Sequence, residues 1–171
     1  MDENYIISIF PEIAQIENAE LKKGVIKAWL LAINRGNWKE LENIPFTLLI
    51  PTQKNLIEHT RSVTQMALAI ARMRKELNQD IVLAGALVHD VGKLLEYEFK
   101  EGKFIKSRYG ELVRHPVSGY QLVLEAGLPL EVAHIVAAHS EEGDKVKRSP
   151  EAVLIHHCDF IDFDIEKAIS R

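Results

Sequence analysis

Residues 81–93 read Ile81-Val82-Leu83-Ala84-Gly85-Ala86-Leu87-Val88-His89-Asp90-Val91-Gly92-Lys93. A helix drawn through residues 81–88 is apolar on every side, so protein must surround it. At eight residues it is far short of the roughly 20 needed to cross a bilayer. The stretch therefore reads as a buried core helix that delivers His89 and Asp90 at its C-terminal end. An imidazole and a carboxylate so placed need partners, because a polar group left unpaired away from water is costly.

Candidate partners come from helix-period patterns on either side. Val63, Met66, Ala67, Ile70 and Ala71 recur at three- and four-residue steps, and His59 lies four residues before Val63, on the same inward face. His115 precedes Pro116, which suits a first helical turn; Val117, Tyr120 and Leu124 share one face of that helix and Gly127 stops it. Pro129 opens another helix, in which Val132, Ile135 and Val136 share a face with His139. Ser149-Pro150 begins a last long helix that carries Asp159 on the side of Ala152 and Ile155. Helices dominate, and the expected class is all-α.

The remaining segments are connections or an N-terminal extension. Two helices are expected within residues 1–50, near Pro11–Ile16 and over Ala19–Asn34, as an extension to a helical bundle that would occupy 51–171. Ile44–Pro51 is apolar but bracketed by prolines, which predicts an extended strap with a structural job. Gly102 and Gly110 mark residues 94–114 as a loop or small hairpin bearing Lys100, Lys103, Lys106, Arg108 and Arg114. A charged loop spans Ser140–Arg148.

Length and composition set the frame. A chain of 171 residues fits one domain, and 47% hydrophobic against 27% charged residues excludes disorder for its bulk. The net charge of -4 argues against a broadly electrostatic nucleic-acid or membrane binder, so an anionic substrate needs a specific site. Cys158, the single cysteine, has no internal disulfide partner, and Met1-Asp2-Glu3-Asn4 lacks the positive region of a secretory signal; a cytoplasmic protein without a membrane span is expected.

Six metal-capable residues, His59, His89, Asp90, His115, His139 and Asp159, thus fall on inward faces or at helix ends. A lone buried histidine is most often a hydrogen-bonded core residue, and a lone aspartate is often a cap. Six together are satisfied at once by metal coordination. Nitrogen and carboxylate donors without thiolate suit Fe, Mn, Co, Ni or Zn and disfavour Ca. His134, His156 and His157 have no such placement and read as surface residues or as partners of ligating imidazoles.

The order His59, His89-Asp90, His115, His139, Asp159 resembles the metal-binding pattern of the HD superfamily of metal-dependent phosphohydrolases, and His89-Asp90-Val91-Gly92-Lys93 is similar to its HD-[IV]-G-K form. The resemblance covers roughly residues 52–165 and leaves 1–50 outside. No Gly-Tyr-Pro follows His139 and no Glu-Asp pair follows the dipeptide, so it does not extend to the branches that hydrolyse cyclic di-GMP or alarmones. Arg114-His115-Pro116-Val117-Ser118-Gly119-Tyr120, Ala138-His139 and Pro150-Glu151-Ala152-Val153 look closest to the HD domains of bacterial ribonucleases and 3′ to 5′ exoribonucleases. Those carry separate RNA-binding domains that this sequence lacks, so nucleic acid is left open as a partner.

The resemblance implies two divalent ions, one on His59, His89, Asp90 and Asp159 and one on Asp90, His115 and His139, with Asp90 bridging. Two cations sharing a carboxylate lower the pKa of water between them, which suits hydrolysis of phosphate mono- or diesters, nucleotides above all. Asp90 and Lys93 would then be catalytic, with Lys93 and Arg114 on the substrate phosphate; the alternative for Lys93 is neutralising a helix C-terminus. Some HD proteins use the same ligands for a mixed-valence di-iron centre that activates oxygen, and a non-catalytic metal-binding module is a third reading. The N-terminal helices would cap the core or provide a homodimer face.

Overall fold

The computed structural model describes residues 1–170. In chain order the elements are α1 (Glu3–Ile9), α2 (Ala19–Gly36), α3 (Leu56–Ala71), α4 (Gln79–Val88), α5 (Lys93–Glu96), β1 (Tyr97–Lys100), β2 (Lys103–Lys106), α6 (Arg108–Leu112), α7 (His115–Glu125), α8 (Leu130–Ala138) and α9 (Pro150–Ile169). Short 3₁₀ turns lie at Pro11–Gln15 and Glu141–Lys145. The helix class expected from the patterns is what the chain forms, and the segment expected as a loop or small hairpin is an antiparallel hairpin flanked by the short helices α5 and α6.

Capping residues explain where the site-bearing helices begin. Asn55 accepts from the Glu58 amide while the Glu58 carboxylate accepts from the Asn55 amide, a capping box that starts α3 four residues before His59. Asn78 caps α4, and Ser149 with Pro150 starts α9. The hairpin turn, Glu101 and Gly102, takes φ of 52° and 79°, the pattern whose twist suits a two-residue β-turn.

The apolar helix α4 lies at the centre, against α2, α3, α8 and α9. Its residues Val82–Val88 are all buried, as the absence of a polar side requires. Residues 1–50 share this core: Ile6, Phe10 and Trp29 belong to one apolar cluster with Leu83, Leu87, Leu122 and Val132. The Trp29 indole donates to the Leu87 carbonyl at 2.9 Å, so α2 answers one of the carbonyls that α4 leaves free at its end. Buried Glu12 accepts from Arg61 and Gln65 and ties the first 3₁₀ turn to α3.

Two expectations change here. The N-terminal segment holds α1 besides the two expected elements, capped by Asp2 on the Tyr5 amide. The α7 face of Val117, Tyr120 and Leu124 is exposed; the buried face is Pro116, Ser118, Gly119, Leu122 and Val123. The cause is a close crossing: a Cβ on Gly92 would strike the His115 carbonyl and the Gly119 amide, so small residues mark the inward side of α7. No helix among the described residues is long and apolar enough to cross a membrane.

Candidate metal centre

All six expected residues converge. His59 comes from α3, His89 and Asp90 follow α4, His115 starts α7, His139 follows α8 and Asp159 lies on α9. His59, His89, Asp90, His115 and His139 are buried, and Asp159 is partly so. Asp90 stands in the middle: its Oδ2 is 3.3 Å from His59 Nε2 and 3.4 Å from His89 Nε2. Its Oδ1 is 3.3 Å from His115 Nε2 and 3.5 Å from His139 Nε2. Asp159 Oδ1 joins the first pair, 3.1 Å from His59 Nε2. The donor atoms thus form two groups, His59–His89–Asp90–Asp159 and Asp90–His115–His139, each compact enough to hold a metal ion.

The second nitrogen of every ring is already engaged. His59 Nδ1 is 2.7 Å from Asp162 Oδ2, His89 Nδ1 2.7 Å from the Ala86 carbonyl, His115 Nδ1 2.9 Å from Glu96 Oε2 and His139 Nδ1 2.8 Å from the Val136 carbonyl. The two backbone carbonyls only accept, so His89 and His139 are protonated on Nδ1, and their Nε2 lone pairs face the centre. Nε2 of His59 faces that of His89 at 3.3 Å, and Nε2 of His115 faces that of His139 at 3.3 Å. Asp90 Oδ1 is buried with no hydrogen-bond partner. Converging nitrogen lone pairs beside an orphaned carboxylate oxygen are what a cation relieves, and the N and O donors fit a divalent transition metal.

Charges around the cluster are uneven. Burial pushes His59 down, but Asp159, Asp162 and Asp90 outweigh it and carry the ring up to about 10. For His115 burial wins over Glu96 and Asp90, with Lys93 and His139 adding to it, and the ring falls to about 4. Burial raises Asp90, yet Lys93 and His89 hold it well below the usual carboxylate range. Burial also opposes the charge on Glu96, but His115 and Arg114 bring it down to about 2.

Lys93 and Arg114 line the cavity over the centre, each with protein partners. Lys93 Nζ donates to Asp90 Oδ2 at 2.6 Å and to the Phe46 carbonyl. Arg114 bridges Glu96 at 2.9 Å and Glu142 at 2.8 Å. The strap expected to be only structural is part of the site wall: Phe46 stacks on His59, ring centroids 4.6 Å apart, and Phe46 to Leu49 line the cavity over the centre.

Of the other histidines, His156 Nδ1 lies 2.6 Å from the His139 carbonyl, His134 accepts from the Ser149 amide at 3.0 Å, and His157 is exposed. Sequence reasoning missed Asp162 and Glu96. Asp162 orients His59 and is paired with Lys54 at 2.6 Å. Glu96 accepts from both Nδ1 and the backbone amide of His115, answering a free N–H at the start of α7. Asp162 is one turn after Asp159, the only signal that pointed to it.

The fold and site define a helical bundle built around a four-histidine, two-aspartate cluster. The HD domain family model matches residues 56–164, and the chain belongs to that family. It is 33% identical over 122 residues to a dihydroneopterin 2′,3′-cyclic phosphate phosphodiesterase of Methanocaldococcus jannaschii, covering 68% of this chain and 49% of the relative. It is also 33% identical over 104 residues to a ribonuclease Y of Petrotoga mobilis, covering 60% of this chain and 17% of the relative. To a ribonuclease Y of Thermobifida fusca it is 36% identical over 110 residues, covering 63% and 19%. The chain thus spans about half the length of the first relative and less than a fifth of the others. No solved structure gives a significant match.

Proposed function

We propose that the chain is a metal-dependent phosphohydrolase acting on phosphate esters, nucleotides or related small molecules, with two divalent transition metals at the His/Asp cluster. The observation that carries this reading is Asp90, whose two oxygens face two separate donor groups. His59, His89, Asp90 and Asp159 would hold one ion and Asp90, His115 and His139 the other. When bound, such a pair supplies Lewis-acid polarisation of phosphoryl oxygens and a nucleophile drawn from water near neutral pH.

The chain's own residues do the positioning. Asp162 and Glu96 fix the ring planes of His59 and His115, and the Ala86 and Val136 carbonyls fix those of His89 and His139. Lys93 donates to Asp90 Oδ2 and lines the cavity, where its ammonium would offset the charge of a bound phosphoryl group. Arg114 lines the same cavity as a second phosphate contact, held by Glu96 and Glu142. The likeness to the archaeal cyclic phosphate phosphodiesterase supports a diester substrate.

The test is metal content per chain on protein purified without added metal or chelator, together with turnover of bis-p-nitrophenyl phosphate with and without Mn. Two equivalents and metal-dependent turnover are expected. Two irons with oxygen uptake and no ester turnover would replace this reading with the di-iron one.

A further inference from the structure

The cavity over the cluster has a volume of about 150 Å³, below the roughly 300–1,000 Å³ of sites that enclose a whole small molecule. An ester whose phosphate sat there would carry its alcohol arm outward. A second groove, of about 620 Å³, lies next along the same hairpin, lined by Trp38, Ile44, Phe99 and Phe104 with Asn37 and Asn43.

The hairpin register joins the two. Tyr97 pairs with Lys106 and Phe99 pairs with Phe104, so these pairs follow one another on one face, two residues or about 7 Å apart. The first pair lines the cavity of the cluster and the second lines the groove. The strap runs alongside in the same order, with Ile44 in the groove and Phe46 in the cavity.

The groove has the chemistry of a stacking platform. The Trp38 indole donates to the Leu94 carbonyl at 2.7 Å, which fixes its plane, and it stacks on Phe104 at 6.2 Å between centroids and 27° between planes. Phe99 meets Phe104 at 4.9 Å and is 58% exposed, so part of its ring is open to a second flat ring. Asn43 donates to Glu40 and keeps its amide oxygen as an acceptor. The ionisable lining is Lys39 against Glu40 and Glu98, which disfavours a second phosphate and leaves room for an uncharged ring.

We propose that this groove receives the flat heteroaromatic ring, a nucleobase in kind, on the second arm of a phosphodiester whose phosphate lies at the His/Asp cluster; the proposal rests on the phosphohydrolase reading. Stacking on aromatic side chains accepts any base, since every base presents a π-face. The substrate class is then a diester with a ring on each side, such as a dinucleotide, in preference to one with a single ring.

The experiment compares adenylyl-adenosine with the methyl ester of adenosine 5′-phosphate, in the presence of Mn, for the wild-type chain and Phe99→Ala. Both substrates are diesters of one charge, and only the first has a second base. Wild type should favour the dinucleotide by about tenfold in kcat/KM, a ratio that falls to about one in Phe99→Ala. Phe99 is exposed, so its truncation leaves the core intact. A wild-type ratio near one, or a ratio unchanged in Phe99→Ala, overturns the groove and leaves the phosphohydrolase reading standing. If neither ester is turned over, turnover of bis-p-nitrophenyl phosphate decides the phosphohydrolase reading separately, and tryptophan fluorescence decides the groove: saturable quenching by adenosine that Phe99→Ala abolishes supports it, and no quenching, or quenching that Phe99→Ala leaves unchanged, overturns it. Trp29 is fully buried and gives a constant background to the Trp38 signal.

Discussion

Asp162 Oδ2 and His59 Nδ1 lie 2.7 Å apart, and the same carboxylate takes a 2.6 Å ion pair from Lys54. The His59 ring is therefore aimed by a residue that touches no candidate ion. Asp162→Ala should weaken metal binding by about 10–100-fold, whereas Asp162→Asn, which can still accept from Nδ1–H, should retain most of it. Titration of the metal-free chain with Co, followed by absorbance, measures both. Equal affinity in Asp162→Ala and wild type would mean that His59 needs no orienting partner.

Asp90 is the residue both donor groups share, so its loss should not be partial. Asp90→Asn keeps a neutral side chain of the same size beside Lys93 and should deplete both ions and abolish ester turnover. Elemental analysis and a turnover assay check it, and circular dichroism confirms that the helices persist. His134→Ala removes only an acceptor for the Ser149 amide, and its metal content and turnover should match wild type. Retained metal in Asp90→Asn would sink the bridging assignment.

Ions that bind the folded chain and not the unfolded one must also stabilise it. At free metal of 100 Kd the gain is about 2.7 kcal/mol for each ion. For a chain of 171 residues this corresponds to a melting temperature higher by roughly 5–11 °C. Chelator dialysis should remove that increment, and Mn should restore it. In Asp90→Asn neither treatment should move the transition.

How much of this was legible in the sequence follows from what each residue had to do. An apolar stretch ending in His89-Asp90 can only be buried, and His59, His139 and Asp159 sit at helical spacing from large apolar neighbours, so their direction could be read. Asp162 and Glu96 could not, because a carboxylate on a half-polar helix turn looks solvated until its imidazole partner arrives from a remote element. The inward face of α7 departs from its apolar pattern for a related reason. Large side chains ordinarily mark burial, yet at the Gly92 crossing the backbones approach so closely that Ser118 and Gly119 are inside and Val117 and Tyr120 outside. The strap at Ile44–Pro51 was recognised as extended, but its role as a wall of the site depends on Phe46 meeting His59 and Lys93, contacts that no local pattern encodes.

Gly92 has an ordinary right-handed backbone, φ −65°, so its value is space and not conformational freedom. An alanine there would place its Cβ against the His115 carbonyl and the Gly119 amide, both backbone atoms that cannot rotate away. The start of α7 would have to retreat, and His115 with it, while His59 and Asp159 are carried on α3 and α9. Gly92→Ala should therefore cost about 1–3 kcal/mol of stability and lose one ion selectively, leaving one equivalent per chain. Thermal unfolding and elemental analysis on the same sample separate the two effects. Two equivalents retained with wild-type stability would show that the crossing has slack, and that His115 is held by Glu96 alone.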